Sequence, residues 1–399
     1  MRIVLGIGGS IAAYKALELV RLLIRHGHEV KIVLTAAGAH FITPLSCQTL
    51  SGNDVYQDQF ALTRGIKHLS LNDWGDTLVI APATADLIGK AAAGIADDLL
   101  TTTLVSFTKP VLFVPAMDEG MWSNPRVRRN VALLEADGTQ WLMPLVGPLA
   151  SGKIGRGRFP PAELIAKKIE TVVAGESTLA GVRCLVTGGR TEADLDTVRI
   201  ISNRSSGRMA RELMIAALCR GADVKGIMGE TSVAVPEGVP MTRVRTSREM
   251  LKEMVRDLPG RDLLIMAAAV NDYEPVAVHH GKVHQPRLTV HLRKAPDLLK
   301  TISRHGRGKV VVGFSLEGRL DRDRARHKLL AKKLDVIAFN TPRAIGGDAT
   351  DARVMTSEGR VVEYPSATKW ALANRILDLC RTALKTKQAA SVRRPRRRM

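Results

Sequence analysis

Two places in the chain open in the same way. Residues 3–7 are an apolar run, Gly8-Gly9-Ser10 breaks it, and residues 11–26 then repeat apolar positions at helical spacing up to Gly27. Residues 182–186 are again apolar, a glycine turn and a long polar stretch follow, and Met209, Leu213, Ala216 and Ala217 then share one helical face. A short apolar run reads as a buried strand, and the switch to a 3.6-residue period marks a helix.

The same alternation continues through both halves. In the first, residues 29–34, 76–81 and 109–115 read as the second, third and fourth strands, and residues 162–173 as a helix after Pro160-Pro161. In the second, residues 223–228, 242–246, 263–270, 311–314 and 335–340 read as strands. Ser247 is placed as the cap of a helix to Arg256, residues 321–333 and 367–383 as helices, and residues 346–352 as a loop. Strands alternating with helices imply parallel sheets with right-handed crossovers. The fold class is α/β, with two doubly wound parallel-sheet (Rossmann-like) domains. The small, polar residues 174–181 form the join, giving domains 1–175 and 176–390 and a basic tail 391–399 that reads as disordered.

Composition narrows the class. With 399 residues and 45% hydrophobic content the chain can bury two cores, and 4% aromatic content makes them aliphatic. Cys47, Cys184, Cys219 and Cys380 are scattered without CxxC pairing, which argues against a disulfide scaffold or a zinc site and points to the cytoplasm. No apolar run is long enough to span a bilayer, and Lys15 and Glu18 interrupt the only segment resembling an export signal. A formal net charge of +20 attracts anions, from phosphorylated metabolites to nucleic acid. A nucleic-acid-associated binding protein is therefore a rival reading. No stacking aromatics accompany the arginine-rich tail, so no specific nucleic-acid module is expected.

The candidate chemistry lies where strands meet helices. Gly6-x-Gly8-Gly9-Ser10 lacks the third glycine of the dinucleotide fingerprint, yet it places N–H groups and a hydroxyl at a helix start, suited to one phosphate. Between residues 187 and 209, Arg199, Asn203, Arg204 and Ser205-Ser206-Gly207 crowd donors before another helix start, which suits a phosphate or carboxylate. A plain loop with a serine cap is the structural alternative.

The run Val198-Arg-Ile-Ile-Ser-Asn-Arg-Ser-Ser-Gly-Arg-Met209 resembles the signature of phosphopantothenate–cysteine ligase, the C-terminal half of bifunctional coenzyme A biosynthesis proteins. Gly-Ser-Ile-Ala-Ala-Tyr-Lys15, Pro-Ala-Thr-Ala85 and Gly-Ile-Ala-Asp-Asp-Leu-Leu100 resemble the flavin-dependent decarboxylases of peptidyl or pantothenoyl cysteine. For the first half the resemblance implies FMN against Gly8, Ser10, Thr35, Thr84 and Ala85, and His68 as base within Ile66-Lys-His68-Leu69. A lone histidine beside apolar residues is otherwise structural or on the surface. For the second half it implies CTP and Mg²⁺, with 4′-phosphopantothenate and cysteine as the joined substrates. Asn203 would hold the carbonyl of an acyl-cytidylate and Arg199 a phosphate. Ala269, Asp272, Lys282, Pro296, Asp297, Leu298, Leu299, Phe314, Lys328 and Lys332 would surround the nucleotide, with Phe314 against the base. Without the resemblance, Asp272 is a turn residue before a proline, and Lys328 and Lys332 lie on a solvated basic helix. The metal ligands are not assigned, though Asp272 is one option. The family also implies a trimeric flavin half and a dimeric ligase half.

The chain departs from these patterns at several positions. Asp118 stands where the decarboxylases have Asn, and Ser151 where they have the Cys that donates a proton to the enethiol. A carboxylate repels the substrate carboxylate that the Asn amide would bind, and a hydroxyl is a far weaker acid than a thiol. The first half is then a full decarboxylase with another donor, an oxidative decarboxylase, or an inert flavin-binding scaffold beside an active ligase. In the second half Asn271 replaces an Ala, Ala295 replaces an Asn, and Lys282 keeps only the first of three lysines.

Overall fold

The computed structural model describes residues 1–60, 66–176, 178–302, 308–344 and 346–392. It divides into two compact units, one ending at Glu176 and one formed by the described residues after it.

In the first unit six parallel strands lie in the order Val55–Tyr56, Glu29–Leu34, Arg2–Ile7, Thr77–Ala83, Val111–Pro115 and Gln140–Trp141. Counted along the chain this is 3-2-1-4-5-6, so the winding reverses between Arg2–Ile7 and Thr77–Ala83. Ile3, Val4, Leu5 and Ile7 are fully buried, and a parallel strand covered on both faces reads as a continuous apolar run. The two-residue strand Val55–Tyr56 is too short to show a period, so the segment expected as the third strand is the fourth. The first helix spans Ala13–Arg25 and starts later than expected. The Ser10 hydroxyl accepts the Ala12 N–H at 3.3 Å, and this turn occupies the first positions. At the reversal the Gly8 N–H donates to the Pro82 carbonyl at 3.2 Å. A Cβ on Gly8 would lie 2.8 Å from that oxygen, so only glycine lets the two strand ends approach.

In the second unit eight strands lie in the order Met241–Arg243, Asp223–Met228, Arg183–Gly188, Leu263–Met266, Val310–Leu316, Val336–Asn340, Ala349–Thr356 and Val361–Thr368. The first six are parallel and repeat the 3-2-1-4-5-6 winding; the last two join antiparallel. One core layer packs Leu213, Ala217, Leu372 and Ile376 against one face, and another packs Met250, Met254, Ala325 and Leu329 against the other. All four cysteines are buried.

Several expectations need correction. The loop expected over residues 346–352 is largely the strand Ala349–Thr356, whose alternating burial puts Ala352 and Val354 inside and Asp351 outside. The closing helix is Lys369–Val392, so residues 391 and 392 belong to it; residues 393–399 of the expected tail lie outside the described residues. Thr246, not Ser247, caps the helix Ser247–Asp257, accepting the Glu249 N–H at 3.2 Å. The central strand stops at Met266 rather than Val270. Beyond it Ala269 forms a lone parallel bridge with Arg190 and bonds Gly189, because the chain bends towards the polar stretch. That stretch is no simple loop: Glu192–Asp194 and Ile200–Ser202 form an antiparallel hairpin. The helix Arg208–Cys219 begins at Gly207, with φ +81 and no side-chain cap, rather than at a serine.

Candidate active sites at the two reversal points

In the first unit the ends of Arg2–Ile7 and Thr77–Ala83 deliver Gly8–Ser10 and Thr84–Ala85 to one crevice. Its cavity of about 790 Å³ is lined by Ser10, Thr35, Thr84, Ala85, Asp118 and Ser151, among others. Six sequence-predicted residues therefore meet there. Three of their hydroxyls also hold the backbone. Thr35 donates to the Ile7 carbonyl and accepts the Gly38 N–H, both at 3.0 Å. Thr84 caps the helix Ala85–Ala93 through the Leu87 N–H at 3.2 Å, and Ser10 braces its own turn. Gly8, expected against the cofactor, is not among the lining residues; it packs against the Pro82 carbonyl behind them. His68 sits half-buried on the helix Lys67–Trp74 and is not among the lining residues.

Asp118 and Ser151 come from different segments and bond to each other. Asp118 caps the short helix Glu119–Trp122 through the Gly120 N–H at 3.0 Å. Ser151, in the turn between the strands Leu145–Pro148 and Ile154–Arg158, donates its hydroxyl to Asp118 Oδ2 at 2.8 Å. The Gly120 N–H, then the Ser151 hydroxyl, hold the Asp118 carboxyl below its ordinary value, so it is ionised at neutral pH. Sequence reasoning missed Lys15 and Arg158 as lining residues. Arg158 ends the strand that follows the Ser151 turn, and that position was its only signal.

The cavity suits FMN. Its volume falls within the roughly 300–1,000 Å³ of small-molecule sites. Free N–H groups at the start of Ala85–Ala93 and the cations Lys15 and Arg158 favour a phosphate.

In the second unit the corresponding reversal lies between Arg183–Gly188 and Leu263–Met266. Asn203 reaches across it, its amide nitrogen donating to the Ala269 carbonyl at 3.1 Å and to Asn271 Oδ1 at 3.0 Å. Asn271 is 8% exposed; its own amide donates to the Ile201 carbonyl at 2.9 Å, and its N–H to the Thr191 hydroxyl at 2.9 Å. Next along the chain, Asp272 is exposed; burial lowers the pKa of both Lys328 and Lys332, and the Asp272 charge partly offsets it in each. Lys328 donates to the Phe314 carbonyl at 3.0 Å and the Ser315 hydroxyl at 3.3 Å. Burial pushes its ammonium down, and Glu317 and Asp272 pull it back up. Lys332 pairs with Asp297, which also caps the helix Leu298–Ile302 through the Lys300 N–H at 2.9 Å. Pro296 precedes that cap; Leu298 is buried in the core and Leu299 packs against it.

Arg199 and Lys282 are joined through a residue the sequence did not single out. Asp196 is buried and accepts the N–H groups of Val198, Arg199 and Val283 at 2.8, 2.6 and 3.1 Å. The Arg199 guanidinium bonds Asp196 at 3.1 Å and the Val283 carbonyl at 2.8 Å. Burial raises the Asp196 pKa, but these donors outweigh it and bring the carboxyl down to about 2. The knot fixes the chain beside Lys282, whose side chain is exposed. Only the turn Asp196-Thr197-Val198 hinted at it in the sequence.

A cavity at one reversal point, and lysines and carboxylates gathered at the other, are the marks of a two-domain enzyme of nucleotide-type α/β units. Comparison agrees: residues 1–174 match the flavoprotein family, and residues 179–383 the DNA/pantothenate metabolism flavoprotein C-terminal domain. The coenzyme A biosynthesis bifunctional protein CoaBC of Bacillus subtilis (strain 168) is 36% identical over 386 residues, covering 94% of this chain and 95% of that protein. CoaBC of Mycobacterium tuberculosis (strain ATCC 25618 / H37Rv) is 36% identical over 404 residues, covering 96% and 97%. Among solved structures, the C-terminal domain of a CoaBC is 29% identical, covering 52% of this chain and 98% of that one, with a TM-score of 0.47. The FMN binding protein AtHal3 is 31% identical, covering 44% and 98%, with a TM-score of 0.39.

The chain belongs to the CoaBC family, the bifunctional coenzyme A biosynthesis proteins that carry phosphopantothenate–cysteine ligase and phosphopantothenoylcysteine decarboxylase. Among the described residues no helix is long and apolar enough to cross a membrane.

Proposed function

We propose that the second unit joins 4′-phosphopantothenate to cysteine at the expense of CTP, and that the first unit acts on the product with FMN. The carboxylate attacks the α-phosphorus of CTP, pyrophosphate leaves, and an acyl-cytidylate forms. The cysteine amine then displaces CMP. Mg²⁺ and lysines neutralise the triphosphate, which is the main physical task. The observation that carries this reading is the convergence of Asn203, Asp272, Lys328 and Lys332 at one sheet edge. Asp272 offers a carboxylate for Mg²⁺ or ribose, Phe314 a face for cytosine, and Lys282 a charge on the segment anchored by Asp196 and Arg199. Asn203 stands at the acyl group. The assembly is read as a trimer through the flavin half and a dimer through the ligase half, as the family resemblance implies.

Bound FMN would supply two-electron oxidation of the cysteine thiol, after which CO₂ can leave. Ser10, Thr84, Ala85 and Arg158 would hold the flavin and its phosphate, and His68 remains the candidate base. One observation favours a second reading of this half. Ser151 is hydrogen-bonded to an ionised Asp118, so the position that protonates the enethiol carries a poor acid. The first unit would then release the oxidised enethiol. Cysteine-dependent pyrophosphate release from CTP, measured beside CO₂ and the two thiol products, tests the whole proposal. Absence of CTP-driven amide formation would reject the ligase; FMN bound without CO₂ release would reduce the first half to a scaffold. Salt-sensitive nucleic-acid retention without CTP turnover would favour the rival binding protein.

A further inference from the structure

The first and last helices of the first unit meet at a histidine pair that the proposed chemistry does not use. The helix Ala13–Arg25 buries Ala16, Leu19, Val20 and Leu23, and the helix Ala162–Val173 packs against it. His26 closes the first helix, its N–H donating to the Leu22 and Leu23 carbonyls at 3.0 and 3.1 Å. Gly27 follows at φ +79, a left-handed turn that glycine makes without strain. The His28 N–H then returns to the Leu23 carbonyl at 3.0 Å. This turn brings both rings beside Glu170, which the last helix supplies. His26 Nδ1 lies 3.6 Å and His28 Nε2 3.9 Å from the same carboxylate oxygen, with the two rings nearly perpendicular.

Neither distance is a hydrogen bond. His28 Nε2 is buried and has no hydrogen-bond partner, a cost that a ligand on that nitrogen would remove. The two ring nitrogens and the carboxylate oxygen all lie within 4.8 Å of one another. Around a tetrahedral zinc ion with bonds of about 2.0–2.1 Å, ligand atoms stand about 3.3 Å apart. The His26 and Glu170 side chains are 41% and 28% exposed, so both can turn to close that gap.

We propose that His26, His28 and Glu170 form a site for a divalent transition-metal ion of the zinc class, with water as the fourth ligand. Two imidazoles and a carboxylate are a donor set that zinc accepts, whereas Mg²⁺ and Ca²⁺ take oxygen ligands. The scattered cysteines argue against a thiolate site, and this one needs none. The helix Ala13–Arg25 starts beside the cavity-lining Ala12, and its 13 residues put the ion roughly 20 Å from that cavity. The ion is therefore a clamp. Bound only by the folded unit, it ties the end of the first helix to the last one.

The test uses the full-length protein, freed of metal by chelation and kept without CTP. Calorimetric titration with Zn²⁺ should show about one tight equivalent per chain, and Mg²⁺ should not compete for it. Co²⁺ should give the visible absorption of a four- or five-coordinate site. Glu170→Gln and His26→Gln, both at partly exposed side chains, should each weaken that equivalent at least about 100-fold while circular dichroism stays unchanged. His40→Gln, at an exposed histidine elsewhere on the unit, should bind as wild type does. Zn²⁺ at about 100 times Kd should raise the Tm of the first unit by about 5–10 °C in wild type and in neither ligand variant. Failure of wild type to bind Zn²⁺ would overturn the proposal and leave a histidine–carboxylate contact only. Equally tight binding by wild type and both ligand variants, or a zinc-induced rise in Tm that survives Glu170→Gln, would also overturn it.

Discussion

Replacing Ser151 by Cys tests whether the first unit lacks only an acid. The Ser151 hydroxyl lies 2.8 Å from Asp118 Oδ2, and Asp118 is kept ionised by that bond and by the Gly120 N–H. A proton leaving Ser151 would create an anion beside a carboxylate. A thiol, with a reference pKa of about 8.5, is a far better donor. A positioned general acid contributes roughly 10²–10⁴-fold, so Ser151→Cys should raise the ratio of pantetheine phosphate to enethiol at least about 10²-fold. The neighbouring Asp118 charge opposes thiolate formation. In a solvent-exposed site, a charge at contact distance shifts a pKa by about one unit or less, so adding Asp118→Asn should increase the ratio by about tenfold at most. The assay is mass analysis of products made from the cysteine adduct by the flavin-loaded enzyme, since the two thiols differ by one H₂. Wild-type enzyme that forms pantetheine phosphate as fast as the double variant would refute the reasoning, because the hydroxyl–carboxylate pair would then suffice as donor. Asp118 has a depressed pKa, so the wild-type product ratio should hold steady until pH falls below the ordinary carboxylate range.

Other predictions follow from the second unit. The Asp196 carboxyl is lowered from 3.8 to about 2, so its contribution to stability is complete above 3.8 and lost as pH falls towards 2. Asp196→Asn should remove that part of the acid dependence, speed hydrogen exchange at the Val283 amide and raise KM for CTP; unchanged exchange would contradict the knot. Arg220 is 3% exposed, donating to Asn374 Oδ1 at 3.1 Å, to the Asn374 carbonyl at 3.1 Å and to Asp378 at 2.7 Å. Asp378 is 37% exposed and stays solvated, but Arg220→Met leaves the buried Asn374 acceptors unpaired, which costs about 1–3 kcal/mol and should lower the calorimetric Tm of that unit by roughly 2–12 °C. Lys328 spends two donors on Phe314 and Ser315, which leaves one for a phosphate. Lys328→Gln should raise KM for CTP by about 10–100-fold with little change in KM for cysteine, and equal KM values in initial-rate assays would remove it from the nucleotide site.

Much of this protein was legible before any coordinates. The runs at residues 3–7 and 182–186, each broken by glycine and followed by a helical period, specify two parallel α/β units, because strands covered on both faces leave uninterrupted apolar sequence. The glycine turn after the first strand suited a phosphate, the family resemblance put Ser10, Thr35 and Thr84 beside one ligand, and all three hydroxyls line one crevice. The strand Val55–Tyr56 was too short to carry a period, and the hairpin beyond Gly188 was hidden because its strands are three residues each and show no alternation of burial. Pairings between distant segments were not legible at all. Nothing local joins Asp118 to Ser151, Asp196 to Val283, or Asn203 to Asn271. Composition and period decide what is buried and which segments become strands, since they act over neighbouring residues. Which polar atom is spent and which is left for a ligand depends on hydrogen bonds across many residues of chain, and those exist only once the sheet has set its strand ends side by side.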